Sequence, residues 1–533
     1  MPPASTVGRY VVELLAANGI EVVFGIPGVH TLELYRGLAL TGMRHILVRH
    51  EQNAGFAADG HARASGRPAA AFVISGPGVT NALTALAQAY SDSVPLLLVA
   101  SAPVRASLGK HWGVLHELPD QLALGRGVTG VARSAACAED VRDHLRAIFA
   151  SLRAGRPRPA YLQIPLDLLA EPTDLKAERF AAPAGPTAPA GEPLARAMAA
   201  LADSQRPLVI AGGGARAAGE ALRRLVEILD AYLVSTTAGK GLLPEHHPAN
   251  LGASLAFRET QALIARADVI VAVGTELSET DFYTGTRLPM TGRLIRIDID
   301  PSKLSDQYGA EFALWGDARA SLEALAGGLK RRQGWRTAAG SAAEHRARIE
   351  QSFDRGARAR LTALTAIREG VPAEGVVFSD QTQIAYLGNY AFATDRPGSW
   401  FHPCGYGALG FALPAALGAK IAEPERPVIA LAGDFGLQFT LQELMTAVEL
   451  RLSLPVVVWN NEALGQIRDD MQAAGIPPIG VIGRNPDFVA LAKAFGAEGL
   501  RARGAAHLSQ AIRQALGHPG PTLIEAMETD FLA

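Results

Sequence analysis

Cysteine is nearly absent. Only Cys137 and Cys404 occur in 533 residues, too few for a disulfide framework and without the paired spacing of a zinc site. A reducing compartment, the cytoplasm, is the expected location. Charge of one sign is lacking as well: 50 Lys+Arg stand against 52 Asp+Glu, and a net charge of −2 leaves no broad basic surface for nucleic acid. Long hydrophobic runs are missing. The most apolar stretches, such as Val94 to Val104, are about ten residues long and interrupted by Pro95 and Pro103, far short of the ~20 that cross a bilayer. Met1-Pro2-Pro3-Ala4-Ser5 has no basic stretch ahead of an apolar one, and Glu13 and Asn18 interrupt the first hydrophobic segment, so neither a secretory leader nor a membrane partner is expected. No internal repeat is obvious.

What is present is ample core material, 48% hydrophobic residues, in a chain long enough for about three to four domains. Short runs of Val, Ile and Leu alternate with amphipathic stretches: Val22 to Phe24, Ile46 to Val48, Ala71 to Ile74, Leu96 to Val99, Tyr161 to Ile164, Leu208 to Ile210, Val269 to Val273, Leu294 to Ile297, Val376 to Phe378, Val428 to Leu431 and Val456 to Trp459. Strands buried on both faces read this way, which predicts an α/β chain of doubly wound parallel sheets. The 55 Gly and 33 Pro fall mainly between these segments, except for the Ala/Pro/Gly-rich stretch from Ala181 to Pro189, whose composition is that of a linker.

The sharpest chemical signal is Gly433-Asp434-Phe435-Gly436 directly after one apolar strand, with Asn460-Asn461 directly after the next. Asp434 and Asn461 are 27 positions apart, enough for one strand-helix-strand crossover that returns both side chains to the same carboxyl edge. A carboxylate and an amide, with room for phosphate oxygens and water, suit Mg²⁺, which usually takes few protein ligands. Alone, the pair also reads as a strand-end Asp capping a helix plus an Asn turn.

Here the sequence resembles the thiamine diphosphate (ThDP) enzymes, whose cofactor motif is Gly-Asp-Gly followed by Asn-Asn; Phe435 departs from it, as acetolactate-synthase-like members do. The resemblance implies that Asp434, Asn461 and the backbone carbonyl of Ala463 bind Mg²⁺, with Gly433 beside them, and that the metal holds the diphosphate. It makes Glu51, in Arg49-His50-Glu51-Gln52-Asn53-Ala54-Gly55, the carboxyl that hydrogen-bonds the aminopyrimidine and favours its imino tautomer. Alone, Glu51 reads as a helix-cap carboxylate. Phe24 to Gly28 is similar to the turn beside the pyrimidine, and Ser75 to Asn81 to the loop opening a helix near the same ring, so Gly28 and Asn81 are cofactor candidates. Gly407 to Ala416 is similar to the segment carrying the apolar wedge that bends the cofactor, with Leu409 as the wedge. Thr382 and Gln383 stand where relatives contact the diphosphate; helix capping is the alternative. The family's fold is three domains: pyrimidine-binding over 1–170, a linker over 171–194, a central Rossmann-like domain over 195–342 and diphosphate-binding over 343–533. The family also implies a homo-oligomer, dimer or tetramer, with the active site at a dimer interface.

In such enzymes the thiazolium takes up the electrons released as CO₂ leaves a 2-oxo acid, and the protein decides the outcome. Protonation gives an aldehyde; attack on a second carbonyl gives an acetohydroxy acid. Leu115-His116-Glu117 lies where acetolactate synthases carry Phe-Gln-Glu. An imidazole relays protons as an amide cannot, so His116, with His30 as a second candidate, favours decarboxylation over acetolactate-type carboligation of pyruvate. A loop histidine on the surface is the alternative for His116. Gly25 to Tyr35, Leu115 to Gln121, Thr382 to Tyr386 and Gln466 to Asp469 most resemble decarboxylases of 5-guanidino-2-oxopentanoate (2-ketoarginine), which form 4-guanidinobutanal in arginine catabolism. A guanidinium needs a carboxylate or carbonyl partner, and Glu117, Glu443, Asp469 and Asp470 are the candidates. In the central unit Gly212-Gly213-Gly214 follows a strand, but Thr275 to Asp281 does not match the Arg-Phe-Asp-Asp-Arg-type stretch of FAD-binding relatives. Bound FAD is accordingly not expected, and the unit reads as a spacer.

Overall fold

The computed structural model describes residues 5–532 except 186, 284, 286, 333 and 334, and within them the apolar runs form three parallel sheets. The first runs, in spatial order, Arg44–Leu47, Val22–Gly25, Ala69–Val73, Leu96–Ala102, Ala160–Pro165 and Val131–Ser134. The second runs Phe312–Trp315, Arg293–Asp298, Val269–Val273, Pro207–Ala211 and Tyr232–Ser235. The third runs Trp400–Phe401, Val376–Ser379, Val428–Gly433, Leu454–Asn460, Pro521–Met527 and Glu498–Ala502. Counted along the chain, both six-stranded sheets have the order second, first, third, fourth, sixth, fifth, one topology behind two unlike sequences. Because all strands of a sheet are parallel, every strand-to-helix turn opens on the same edge, where ligands of open α/β sheets bind.

The first and third units share a core. Helix Glu51–Ser65 lies against helix Ala412–Ala422, with the Phe56 and Phe411 rings edge-to-face at 5.5 Å. Their backbones approach so closely that a Cβ on Gly60 would collide with the Ala415 carbonyl, and one on Gly418 with that of Ala57. The middle unit packs its own core around Val209, Leu222 and Val271.

The expected linker has no regular structure from Thr173 to Ala190 among its described residues; Pro186 lies outside them. Its first half is nonetheless tied down, because Phe180 N–H donates to Asn18 Oδ1 at 2.9 Å and the Phe180 ring is buried. Between the middle and third units the chain forms two helices, Ala342–Gln351 and Arg355–Gly370, the second capped by Asp354 through Ala357 N–H at 2.7 Å. Among the described residues no helix is long and apolar enough to cross a membrane.

Candidate active site

Two groups of side chains collect at the carboxyl edges of the outer sheets. In the first unit, strand Arg44–Leu47 leads into helix Glu51–Ser65, whose N-cap His50 accepts from Gln52 N–H at 3.2 Å. Glu51 thus opens the helix, at the positive end of its dipole, and its Oε2 accepts from Asn81 Nδ2 at 2.9 Å. Asn81 belongs to helix Pro77–Ser91, entered through Ser75 and Gly76. At Gly76 φ is +64°, and a Cβ there would stand 2.5 Å from the His116 carbonyl oxygen, so only glycine lets the two loops meet.

The same loops bring the two histidines together. The rings of His30 and His116 meet edge-on, 4.8 Å between centroids, and His30 Nδ1 is 2.6 Å from Ser75 Oγ. His30 is buried; burial, then the nearness of His116, lowers its pKa. His116 takes a left-handed backbone, φ +65°, costly for a side-chain-bearing residue, and its buried Nδ1 has no hydrogen-bond partner among the described residues. His116 is therefore a constrained member of a pair rather than a free surface side chain. Gly28 closes the same corner, donating its N–H to Thr31 Oγ1 at 3.1 Å and facing the Ile74 side chain.

In the third unit, Gly433 ends strand Val428–Gly433 and Asp434 begins the short helix Asp434–Gln438. Asp434 is buried, which raises its pKa, and its Oδ2 accepts from Asn485 Nδ2 at 2.7 Å. Asn485 also donates to Asn460 Oδ1 at 2.9 Å, joining the two strand ends. Asn461 Nδ2 donates to Gln383 Oε1 at 3.2 Å, and Asn461 Oδ1 accepts from Ala463 N–H at 3.3 Å. Gly465 lies so near that a Cβ would stand 2.5 Å from Asn461 Nδ2. Thr382 sits at the N-cap of helix Gln383–Ala391, yet its hydroxyl makes no capping bond; its Cβ is 2.9 Å from where a Cβ of Gly433 would be.

Asp380, which sequence reasoning did not single out, organises the Leu409 loop. It is buried, and Gln381 N–H, Gly410 N–H and Ala412 N–H donate to it at 2.8, 3.0 and 3.3 Å. Burial pushes its pKa up to about 6. Leu409 is thereby held between two left-handed glycines, Gly407 and Gly410, and is half-buried.

These donors fit a hard cation: a buried carboxylate disfavoured as an ion, one amide and a backbone carbonyl, with no cluster of three His, Cys, Asp or Glu side chains able to hold a metal among the described residues. Glu443 is excluded as a guanidinium partner, since it is buried and its oxygens accept from Arg49 N–H, Asn53 Nδ2 and Thr446 Oγ1 at 2.7, 2.8 and 2.8 Å. Among the described residues no hydrogen bond or ion pair joins Glu51, His30 or His116 to Asp434, Asn461 or Gln383. Large apolar side chains are exposed beside both groups: Val29, Trp112 and Leu115 in the first unit, Phe439, Ile479 and Ile482 in the third. A separate cavity of about 530 Å³ lies between the units, lined by Gly212, Gly214, Arg216, Asp281 and Asp298 of the middle one.

Comparison with known proteins agrees with this layout. The N-terminal TPP-binding, central and C-terminal TPP-binding domains of thiamine pyrophosphate enzymes (ThDP under its other name) match residues 5–124, 194–325 and 380–526. A probable 2-ketoarginine decarboxylase of Pseudomonas aeruginosa is 50% identical over 528 residues, 98% of this chain and 93% of its own. The large subunit of acetolactate synthase isozyme 3 of Escherichia coli is 31% identical over 95% of this chain and 91% of its own. A probable acetolactate synthase large subunit of Methanocaldococcus jannaschii is 28% identical over 97% and 90%.

Proposed function

As the chain belongs to the thiamine pyrophosphate enzymes and decarboxylates a 2-oxo acid, we propose that its substrate is 5-guanidino-2-oxopentanoate, released as 4-guanidinobutanal and CO₂ with Mg²⁺ as the second cofactor. The guanidino side chain is taken from the name of the Pseudomonas relative. The observation that carries the aldehyde outcome is the His30–His116 pair, with rings 4.8 Å apart, packed against Ser75 and Gly76 of the loop that leads to Glu51's partner Asn81.

When bound, ThDP supplies the electron sink that lets CO₂ leave. Asp434, Asn461 and the Ala463 carbonyl would hold Mg²⁺, Thr382 and Gln383 the diphosphate, Leu409 and Gly28 the rings, and Glu51 the aminopyrimidine. A carboxyl opening a helix, steadied by an amide, is suited to a single defined hydrogen bond with that ring. His30 and His116 deliver the proton that completes the aldehyde, and the surrounding apolar side chains exclude water from the reacting carbon.

Among the described residues no hydrogen bond or ion pair joins the Glu51 group to the Asp434 group within one chain, and each is fringed by exposed apolar residues; this supports a homodimer, or a pair of dimers, in which each site takes one group from each chain. The functional division follows 1–170 for the pyrimidine, 195–342 for the central unit and 343–533 for the diphosphate. No flavin enters this reading, and the two free cysteines suit the cytoplasm.

The test is to load the protein with ThDP and Mg²⁺, offer a panel of 2-oxo acids, and follow CO₂ and products by mass spectrometry. The guanidino acid should turn over best and yield aldehyde. Acetolactate formed from pyruvate, without aldehyde, would place the chain with the synthases.

A further inference from the structure

Ser75 stands between the end of strand Ala69–Val73 and the left-handed Gly76, on a loop held by buried polar groups. Its N–H donates to Ser101 Oγ at 3.0 Å, and Gly76 N–H donates to Gln121 Oε1 at 2.8 Å. Gln121 Nε2 in turn donates to the Ser101 carbonyl and the Tyr161 hydroxyl, both at 2.9 Å. Turning this loop would strand the buried N–H groups of Ser75 and Gly76, so the Ser75 hydroxyl has a fixed place. Among the described residues its side-chain partner is His30 Nδ1.

Resting on the decarboxylase reading above, we infer that Ser75 is the positioning residue of the proton donor: its hydroxyl holds the His30 ring against His116 and reserves Nε2 for proton exchange with the reacting carbon. A hydroxyl both accepts and donates, so it keeps its bond to Nδ1 whether that nitrogen carries hydrogen or not. In the charged ring, Nδ1–H donates to Ser75. The Nε2–H bond then breaks and a C–H bond forms at the carbon that has lost CO₂. The electron pair stays on Nε2, and the neutral ring retains Nδ1–H. His116, which meets the ring edge-on at 4.8 Å, is the neighbour through which the proton is replaced from solvent. Burial, and after it the charge of His116, lowers the His30 pKa, so the charged ring gives up its proton readily. Without Ser75 the ring could rotate about its side-chain bonds, and an ångström of misplacement is enough to slow a proton transfer.

The experiment compares Ser75→Ala, Ser75→Thr, His30→Gln and the Ser75→Ala/His30→Gln double variant in the ThDP- and Mg²⁺-loaded protein. It measures kcat and KM for aldehyde release, the carboligation by-product, and ThDP affinity by quenching of intrinsic fluorescence. Ser75→Ala should lower kcat about tenfold, part of the ~10²–10⁴ that a positioned acid supplies. KM and ThDP affinity should hold and the by-product fraction rise. Ser75→Thr, which keeps the hydroxyl, should recover most of the rate, and adding Ser75→Ala to His30→Gln should cost nothing further. Wild-type kcat and product ratio in Ser75→Ala, an equal further loss in the double variant, or a parallel fall in ThDP affinity would each overturn the assignment. A wild-type protein that makes acetolactate and no aldehyde fails the decarboxylase reading itself, and the inference with it.

Discussion

Glu443 Oε1 accepts from Asn53 Nδ2 at 2.8 Å and from Arg49 N–H at 2.7 Å, so one carboxylate of the third unit grips the first unit two residues to either side of Glu51. Burial raises its pKa, and the donors around it offset that cost. Glu443→Gln keeps an oxygen for these donors and should be nearly neutral. Glu443→Ala strands them, at about 1–3 kcal/mol for each buried group. Thermal unfolding of the two variants should differ by several degrees, with turnover falling in the alanine variant alone.

Glu51→Gln retains an acceptor for Asn81 and should melt like the wild type. Turnover should nonetheless fall by roughly 10²–10⁴, the range for loss of a positioned acid or base. Near-wild-type turnover would make Glu51 structural.

Asp434→Ala, or exhaustive EDTA treatment, should weaken ThDP binding roughly 100-fold, since breaking a buried charge pairing costs about 3 kcal/mol. Equilibrium dialysis measures it; unchanged affinity in metal-free protein would remove Mg²⁺ from the scheme.

Inactive Glu51→Gln and Asp434→Ala chains, mixed and allowed to exchange subunits, should regain about one quarter of wild-type activity, because half the dimers formed at random carry one intact site of two. No recovery, despite exchange seen by native mass spectrometry, would put both groups of a site in one chain.

Asp380 supplies a pH dependence. Its folded pKa of about 6 lies above the ordinary 3.8, so the fold favours the protonated form. The associated stability is present below about pH 4, declines as pH rises toward 6 and changes no further above it. Asp380→Asn removes this titration and places an amide N–H against that of Ala412. The gap in melting temperature between wild type and variant should therefore narrow from pH 4.5 to pH 7.

The parts of this molecule that could be read in one dimension are those in which a short stretch sets its own geometry. Val428 to Leu431 is apolar on both faces and can only be an inner strand, and Gly433-Asp434 and Asn460-Asn461 ride on the ends of such strands, so parallel neighbours suffice to bring them to one edge. Glu51 was legible for the same reason, as the first residue of a helix directly after a strand. Glu498–Ala502 was not, because an edge strand with a Gly and two charges has neither periodicity nor apolar bulk. Nor was the common topology of the outer sheets, which depends on strand order and leaves no mark in residue identity. The site's supporting contacts are of the second kind: Asn485 on Asp434, Glu443 on Asn53, Ser75 on His30 and the His30–His116 contact join residues 51, 390, 45 and 86 positions apart. A lone Asn, Ser or Glu gives no local sign of such a partner. Which donor meets which acceptor was decided when the chain packed, since a polar group taken out of water must be matched by whatever the fold brings within about 3 Å.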